Sequence, residues 1–418
     1  MISRIQALSF RSLQWIDQRL HRFQALVGPN ASGKTTFMDV IAFLSELMRT
    51  RGSVLETVQN RSSTFENLLW LGKGTSFQLA VEAEIPATVR SMVIAKKQAF
   101  SHVRYELQVG FDTKENQLGL DHEVLWLTNP TEQSAKPLSL FPLVKKQPES
   151  IFRNPGKDAR IIVKKTPHGN DNYYTEGKKG YMPTWNLGRE ISAMANVPAD
   201  DERFPVSLWF RELLSNGVQE FILNSQTIRR PSPPGQGRTF RTDGSNLPWV
   251  IDDLRKHPKQ FRQWLRHVQT ALQDIRDITT VVRPEDRHCY LVIEYQNGAK
   301  VPSWLISDGT LRLLALTIPA YLTDFKGTLL IEEPENGIHP SAIETVMHAL
   351  SSIYNSQVLV ATHSPVALNM LRPENILCFA KNADGATDIV AGNLHPSLQA
   401  WKQGQPELGV LFASGILS

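Results

Sequence analysis

Apolar and polar positions along the chain sort into three kinds of segment. Short unbroken apolar runs, Phe23 to Val27, 328 to 332 and 357 to 361, read as buried strands. Strict alternation marks two further strands, at Phe77, Leu79, Val81, Ala83 and Ile85, then at Val103, Tyr105, Leu107, Val109 and Phe111. Period two indicates half-buried, antiparallel pairing. Helical patterns begin near Lys34, run from Trp249 to Ile278, follow Thr310, and occupy 341 to 354. From His288 a strand, an Asn297-Gly298 hairpin turn and a second strand are expected. Strands alternating with helices toward the C-terminal end argue for a parallel α/β core there.

Other stretches carry less pattern. Residues 130 to 190 are polar and rich in Lys, Gly and Asn, which predicts a mixed insertion with mobile loops. Residues 228 to 248, "IRRPSPPGQGRTFRTDGSNLP", read as a loop punctuated by Pro and Gly. There is no internal repeat and no sustained heptad run.

Composition changes this picture little. The 418 residues are 41% hydrophobic and 21% charged, enough for one large domain or two to three smaller ones. A net charge of +4 is too mild to name a partner. No apolar run approaches the roughly 20 residues of a membrane span, and "MISRIQALSF" lacks a signal-peptide pattern. Cys289 and Cys378 form neither a disulfide framework nor a zinc pattern, so buried free thiols and a soluble cytoplasmic chain are expected.

The chemistry is concentrated in a few short stretches. Gly28-Pro29-Asn30-Ala31-Ser32-Gly33-Lys34-Thr35 matches G-x-x-x-x-G-K-[ST] in full, between a predicted strand and a predicted helix. Such glycines let backbone N–H groups curl around phosphate oxygens, and the helix N-terminus adds a positive dipole end. Lys34 then reaches the β- and γ-phosphates, Thr35 offers its hydroxyl to Mg²⁺, and Thr36 completes the nucleotide-binding set. "LLIEEPENGIHP", 329 to 340, gathers Glu332, Glu333 and Glu335 at a strand end, where desolvated like charges oppose one another. A phosphate loop needs an acidic strand end for the metal and a base to orient water. Glu332 would hold Mg²⁺ through water, and Glu333 would be the general base. Glu332 stands where Asp is usual.

Ser307-Asp308-Gly309-Thr310 lies 25 residues before Glu332, and His363 ends a strand 30 residues after Glu333. This order resembles ABC-type ATPases of the AAA family: P-loop, signature, acidic strand with catalytic glutamate, D-loop, switch histidine. "IEEPENGIHP", "ATHSP", "FRSL" at Phe10 to Leu13, "DGSNL" at Asp243 to Leu247 and "PELGVLFASGILS" resemble the soluble OLD-like and RecF/SMC-like branch. The resemblance is strongest over 1 to 45 and 240 to 370. The chain lacks the long coiled coil of SMC proteins, and the 55 residues after His363 are too few for a Toprim nuclease domain.

The resemblance implies an α/β, ABC-type P-loop head with an antiparallel β subdomain and an inserted mixed or helical lobe. The expected divisions are 1–128 for the first part of the head, 129–278 for the lobe and 279–418 for the rest. It also implies ATP and Mg²⁺ as ligands and His363 as a catalytic partner of Glu333. Two copies would pair head to tail, with Ser307 and Gly309 of one closing on the nucleotide at Lys34 of the other. Glu335-Asn336-Gly337 would begin the D-loop reaching across to that second copy, with Pro334 turning the chain off the strand. The Gln-loop has no recognisable position.

Chains of this build often sit in prokaryotic defence operons, controlling a separately encoded effector. Two readings stand beside that one: a RecF-like repair ATPase on double-stranded DNA, and a nucleotide-gated scaffold with negligible turnover. The basic middle bears on the choice. Ile228 to Arg266 holds nine Lys/Arg against three Asp, and Lys145 to Glu190 holds ten against five Asp/Glu. Such a surface suits nucleic-acid phosphates, a protein docking face or plain solvation.

Overall fold

The computed structural model describes residues 1–93, 100–130, 139–156, 159–166, 168–177, 184–323, 326–399 and 407–417. The unbroken apolar runs become the centre of a six-stranded sheet, ordered β10-β14-β15-β3-β16-β17. Its strands are β3 (Phe23–Val27), β10 (Val218–Phe221), β14 (Gly327–Glu332), β15 (Ser356–Ala361), β16 (Ile376–Lys381) and β17 (Thr387–Ala391). All pairs are parallel except β16 with β17.

The alternating runs form an antiparallel sheet ordered β2-β1-β4-β5-β6-β7-β8-β9. These strands are β1 (Ile2–Phe10), β2 (Leu13–Arg19), β4 (Ser76–Glu84), β5 (His102–Asp112), β6 (Gln117–Thr128), β7 (Arg160–Lys165), β8 (Asp171–Tyr173) and β9 (Thr184–Trp185). A three-stranded antiparallel sheet, β11 (Ile275–Val282), β12 (Cys289–Tyr295) and β13 (Lys300–Pro302), turns at the expected Asn297-Gly298 hairpin.

Helix α1 (Lys34–Arg49) lies between the two larger sheets. Its Phe37, Ile41, Phe43 and Leu44 share one core with Phe10, Phe77 and Leu79 of the antiparallel sheet and with Leu330, Leu359 and Phe379 of the parallel one. The opposite face of the parallel sheet carries Leu329, Ile331, Val358 and Val360, and packs on a helical layer. Alternation along β14 and β15 thus assigns neighbouring apolar residues to two cores, which is why both strands read as continuous runs.

Residues 129–278 do not stand apart from this frame. Strands β7–β9 extend the antiparallel sheet, α2 (Pro205–Ser215) packs on α1, and β10 edges the parallel sheet beside β14. Among the described residues its helices lie in the later part, and the last of them differ from the single helix expected from Trp249 to Ile278. Two helices form instead, α3 (Leu247–Arg255) and α4 (Pro258–Ala271), and Ile275 to Ile278 belongs to β11. Pro258 has no N–H and disfavours helical backbone at His257, so it opens a new helix. Beyond Ala271 the β-branched run "ITTVV" pairs with β12. Helices α5 (Asp308–Thr317) and α6 (Pro340–Ser351) match the expected ones, and two short helices not expected from the pattern follow, α7 (Pro365–Asn369) and α8 (Leu408–Ala413). Cys289 and Cys378 are buried free thiols, each pushed up to about 12 by burial.

Helix α2 starts on a buried acid. Phe204 gives it no side-chain cap, and Glu176 instead accepts from the N–H groups of Val206 (2.6 Å) and Ser207 (2.7 Å) and from the Ser207 hydroxyl (2.6 Å). Burial pushes the Glu176 carboxyl up to about 7 against those hydrogen bonds, from an ordinary 4.5. Between these values the folded chain binds a proton that the unfolded chain has lost, so stability falls as pH rises through the window and levels above it. The stability of the native protein relative to Glu176→Gln should therefore drop by on the order of 1 to 3 kcal/mol between pH 4.5 and 7.5, read from urea unfolding. A pH-independent difference would show that Glu176 does not titrate there.

Candidate active site

At the C-terminal edge of the parallel sheet, β3 runs into a turn in which Ala31 (φ 59°) and Gly33 (φ 103°) take left-handed backbone. A Cβ on Gly28 would sit 2.2 Å from the Phe379 carbonyl oxygen, and one on Gly33 would sit 2.2 Å from Thr387 Oγ1. Both positions therefore require glycine. Pro29, Asn30 and Ala31 form the exposed rim, Ser32, Gly33 and Lys34 are buried, Thr35 is exposed and Thr36 half-buried.

Helix α1 begins with no side-chain cap and no acid in its first turn, leaving its leading N–H groups to an external acceptor. The Ser32 hydroxyl is buried and has no hydrogen-bond partner among the described residues. Those donors fit an anion. The Lys34 ammonium donates to the carbonyls of Gly28 (2.9 Å) and Pro29 (2.8 Å). Burial lowers it to about 8, with Glu333, Glu332 and Glu335 acting the other way, so it is charged at pH 7.

Strand β15 pairs with both β3 and β14, and thereby brings the acids to this loop. Glu332 is exposed and lines a pocket of about 460 Å³ together with Thr35. An exposed carboxylate and an exposed hydroxyl on one pocket are hard oxygen donors that fit Mg²⁺ with retained waters. Glu333 has φ 46°, a left-handed conformation that costs a non-glycine residue on the order of 1 kcal/mol. It is held there by its N–H on the Ala361 carbonyl (2.8 Å), and Asn336 donates to its carboxylate. His363 Nε2 lies 3.9 Å from Glu333 Oε1. Burial, then Lys34, lowers His363, against Glu333 and Glu335, which favours the neutral ring.

Glu335 stands at the start of the expected D-loop. Its carboxylate turns inward and accepts from the Thr362 hydroxyl (2.8 Å) and the His363 N–H (2.7 Å). Ser307 and Gly309 sit at the start of α5. Ser307 caps α5, accepting from the Thr310 N–H at 3.3 Å, and is exposed. Gly309 abuts the turn after Glu333, since a Cβ there would meet the Gly337 carbonyl at 2.5 Å. The structure thus gathers Gly28 to Thr36, Glu332, Glu333 and His363, and leaves the signature residues on a separate helix end.

Four charged residues of the pocket escaped the sequence reading: Arg11, Asp39, Glu220 and Arg312. Asp39 pairs with Arg11 (2.7 Å) and Arg61 (2.8 Å), and burial raises the Glu220 carboxyl. Asp39 follows Thr35 by four residues on a helix, a spacing that could have found it. Glu220 and Arg312 come from distant elements with no spacing signal. Arg312 belongs to α5, and its buried Nε has no partner among the described residues.

Residues 23–369 match a family described as "AAA domain, putative AbiEii toxin, Type IV TA system". The chain belongs to this AAA-domain family. No curated protein matches it. Among solved structures, the AAA-domain chain is similar to an SMC head bound to the C-winged helix domain of ScpA. The TM-score is 0.53 at 14% identity, over 93% of this chain and 96% of that one. It is also similar to an SMC head with an extended coiled coil bound to the C-terminal domain of ScpA from Pyrococcus furiosus. That likeness has a TM-score of 0.51 at 12% identity, over 93% of this chain and 95% of that one. At these identities the likeness is one of fold alone, that of an SMC head.

Proposed function

We propose that the chain is a cytoplasmic, Mg²⁺-dependent ATPase of the OLD-like branch that closes on ATP as a head-to-tail pair and regulates a separately encoded effector in defence. The observation that carries the proposal is the convergence of Lys34, Glu332, Glu333 and His363 at one sheet edge. On binding ATP, Lys34 exchanges two neutral carbonyls for phosphate oxygens, and the α1 N–H groups take up the remaining charge. Mg²⁺ held by Thr35 and, through water, by Glu332 would screen the charge between the phosphate oxygens. Glu333 takes the proton of the attacking water, with the His363 ring 3.9 Å from its carboxylate. Ser307, exposed at the N-terminus of α5, is placed to meet the γ-phosphate of a second copy. The toxin in the family description and the ScpA domain seated on the SMC heads support a chain that acts through a protein partner.

Repair on DNA is a second reading, favoured by one observation. Of the basic residues between Ile228 and Arg266, Arg229, Arg238, Arg241, Arg255 and Lys256 pair with aspartates of this chain. Lys259, Arg262 and Arg266 are exposed along α4 and have no acidic partner among the described residues. Arg230, also exposed and without an acidic partner among the described residues, lies off that helix, so Lys259, Arg262 and Arg266 form the unneutralised stripe of this stretch.

Lys34→Ala should abolish ATP binding, while Glu333→Gln should retain it and lose hydrolysis at least 100-fold. Undiminished turnover in Glu333→Gln would move the base to another residue. Unstimulated, negligible turnover in the native chain would leave a nucleotide-gated scaffold.

Ser307→Arg should bind ATP as a monomer but fail to pair, as followed by light scattering. Mixed with Lys34→Ala, it should regain partial activity, because one composite site is then undamaged. If Ser307→Arg pairs and hydrolyses normally, the shared site is refuted.

Reversing Lys259, Arg262 and Arg266 to Glu should flatten the log–log salt dependence of duplex binding by about 0.9 for each phosphate no longer neutralised. A duplex that does not bind at low salt, or binds indifferently to the reversal, removes the DNA reading.

A further inference from the structure

β17 starts at Thr387, some 350 residues beyond the phosphate loop in sequence yet in contact with it. Thr387 is 3% exposed. Its hydroxyl donates to the Ser32 carbonyl at 2.9 Å and lies 3.3 Å from the Ser12 hydroxyl, in the turn between β1 and β2. Its own N–H donates to the Ser12 carbonyl at 3.2 Å. The residue therefore joins the loop, the antiparallel sheet and the last strand of the parallel sheet. Gly33 leaves the space for it, because any side chain at that position would collide with Thr387 Oγ1.

Peptide geometry gives the contact a consequence. In a trans peptide the carbonyl of one residue and the N–H of the next point in opposite directions within one rigid plane. Fixing the Ser32 carbonyl toward Thr387 fixes the Gly33 N–H toward the other side of the loop. That N–H immediately precedes Lys34 and the free donors of α1, in the row that would meet a phosphate. A loop containing left-handed Ala31 and Gly33 has other backbone arrangements within reach, and a hydrogen bond to a buried hydroxyl selects one of them.

We infer that Thr387 is a positioning residue of the nucleotide site, which orients the Gly33 N–H toward the phosphates by holding the Ser32 carbonyl from behind. The inference rests on the ATP-binding reading above. It predicts an effect on ground-state binding of ATP, since the donor meets a phosphate before and during hydrolysis alike.

Thr387→Val keeps the shape of the side chain and removes the hydroxyl, whereas Thr387→Ser keeps the hydroxyl. Equilibrium ATP binding, steady-state hydrolysis and thermal unfolding should be measured on the full chain with each substitution. Thr387→Val should weaken ATP binding and raise KM by about three- to tenfold, as expected for the removal of one hydrogen bond, with kcat within about twofold of native. Thr387→Ser should restore both constants. Native affinity in Thr387→Val overturns the inference, as does a Thr387→Ser variant as weak as Thr387→Val, which would assign the effect to packing of the methyl group. Failure of the native chain to bind ATP, or full binding by Lys34→Ala, would instead defeat the ATP reading itself.

Discussion

Everything in this head depends on β15 having two parallel neighbours. Its register aligns Ala361 with Glu332 on one side and with Leu26 on the other. Two strand spacings, about 10 Å, therefore separate the rung that ends in the acid from the rung that ends in the phosphate loop. A slip of one residue between β14 and β15 would turn Leu329 and Ile331 out of one core and Leu330 out of the other, so burial on both faces fixes the register strongly. The chemistry inherits that precision without any direct bond between the loop and the acids.

Charge then has to be balanced at the shared edge. Lys34 is buried against three glutamates, and the two influences on it are opposite in sign. Glu335 commits one carboxylate oxygen to the Thr362 hydroxyl and the His363 N–H, which fixes the turn and holds the start of α7 in place. Glu333 is left half-exposed, in a strained backbone conformation, with Asn336 on one oxygen and His363 near the other. Of the three acids it is therefore the one with a carboxylate both oriented and reachable. Strain of this kind persists only where the surroundings over-determine it, and here the Ala361 carbonyl does so.

Local pattern made part of this legible. The phosphate loop, the buried strands, the Asn297-Gly298 turn and the acids after β14 each depend on residues within about a dozen positions, and all lie where the pattern put them. What the sequence hid depends on long-range packing. β7–β9 and β10 are short or polar, so nothing local told that they complete two different sheets. The break at Pro258 was visible as a proline but outweighed by helical periodicity on both sides. The basic middle looked uniformly charged because ion pairs such as Arg255 with Asp277 and Arg229 with Asp308 form across the fold. Arg312 and Thr387 carry no motif at all, and their proximity to the loop is a property of the topology.

Helix α5 is where the two halves of the proposed mechanism meet. Ser307 caps it and Gly309 lies in its first turn, while Arg312 lines the pocket with Thr35 and Glu332. Five residues separate Ser307 from Arg312, about 7.5 Å along a helix axis. A helix this short is stiff, so it cannot shift at Arg312 and stay fixed at Ser307. The close approach of Gly309 to the Gly337 carbonyl ties the same helix to the turn that follows Glu333. A rearrangement of the acids around a nucleotide would therefore press on the first turn of α5 through packed backbone. Under the proposed pairing, the surface offered to a second copy would then depend on what the chain's own site holds, the property the proposed regulator requires.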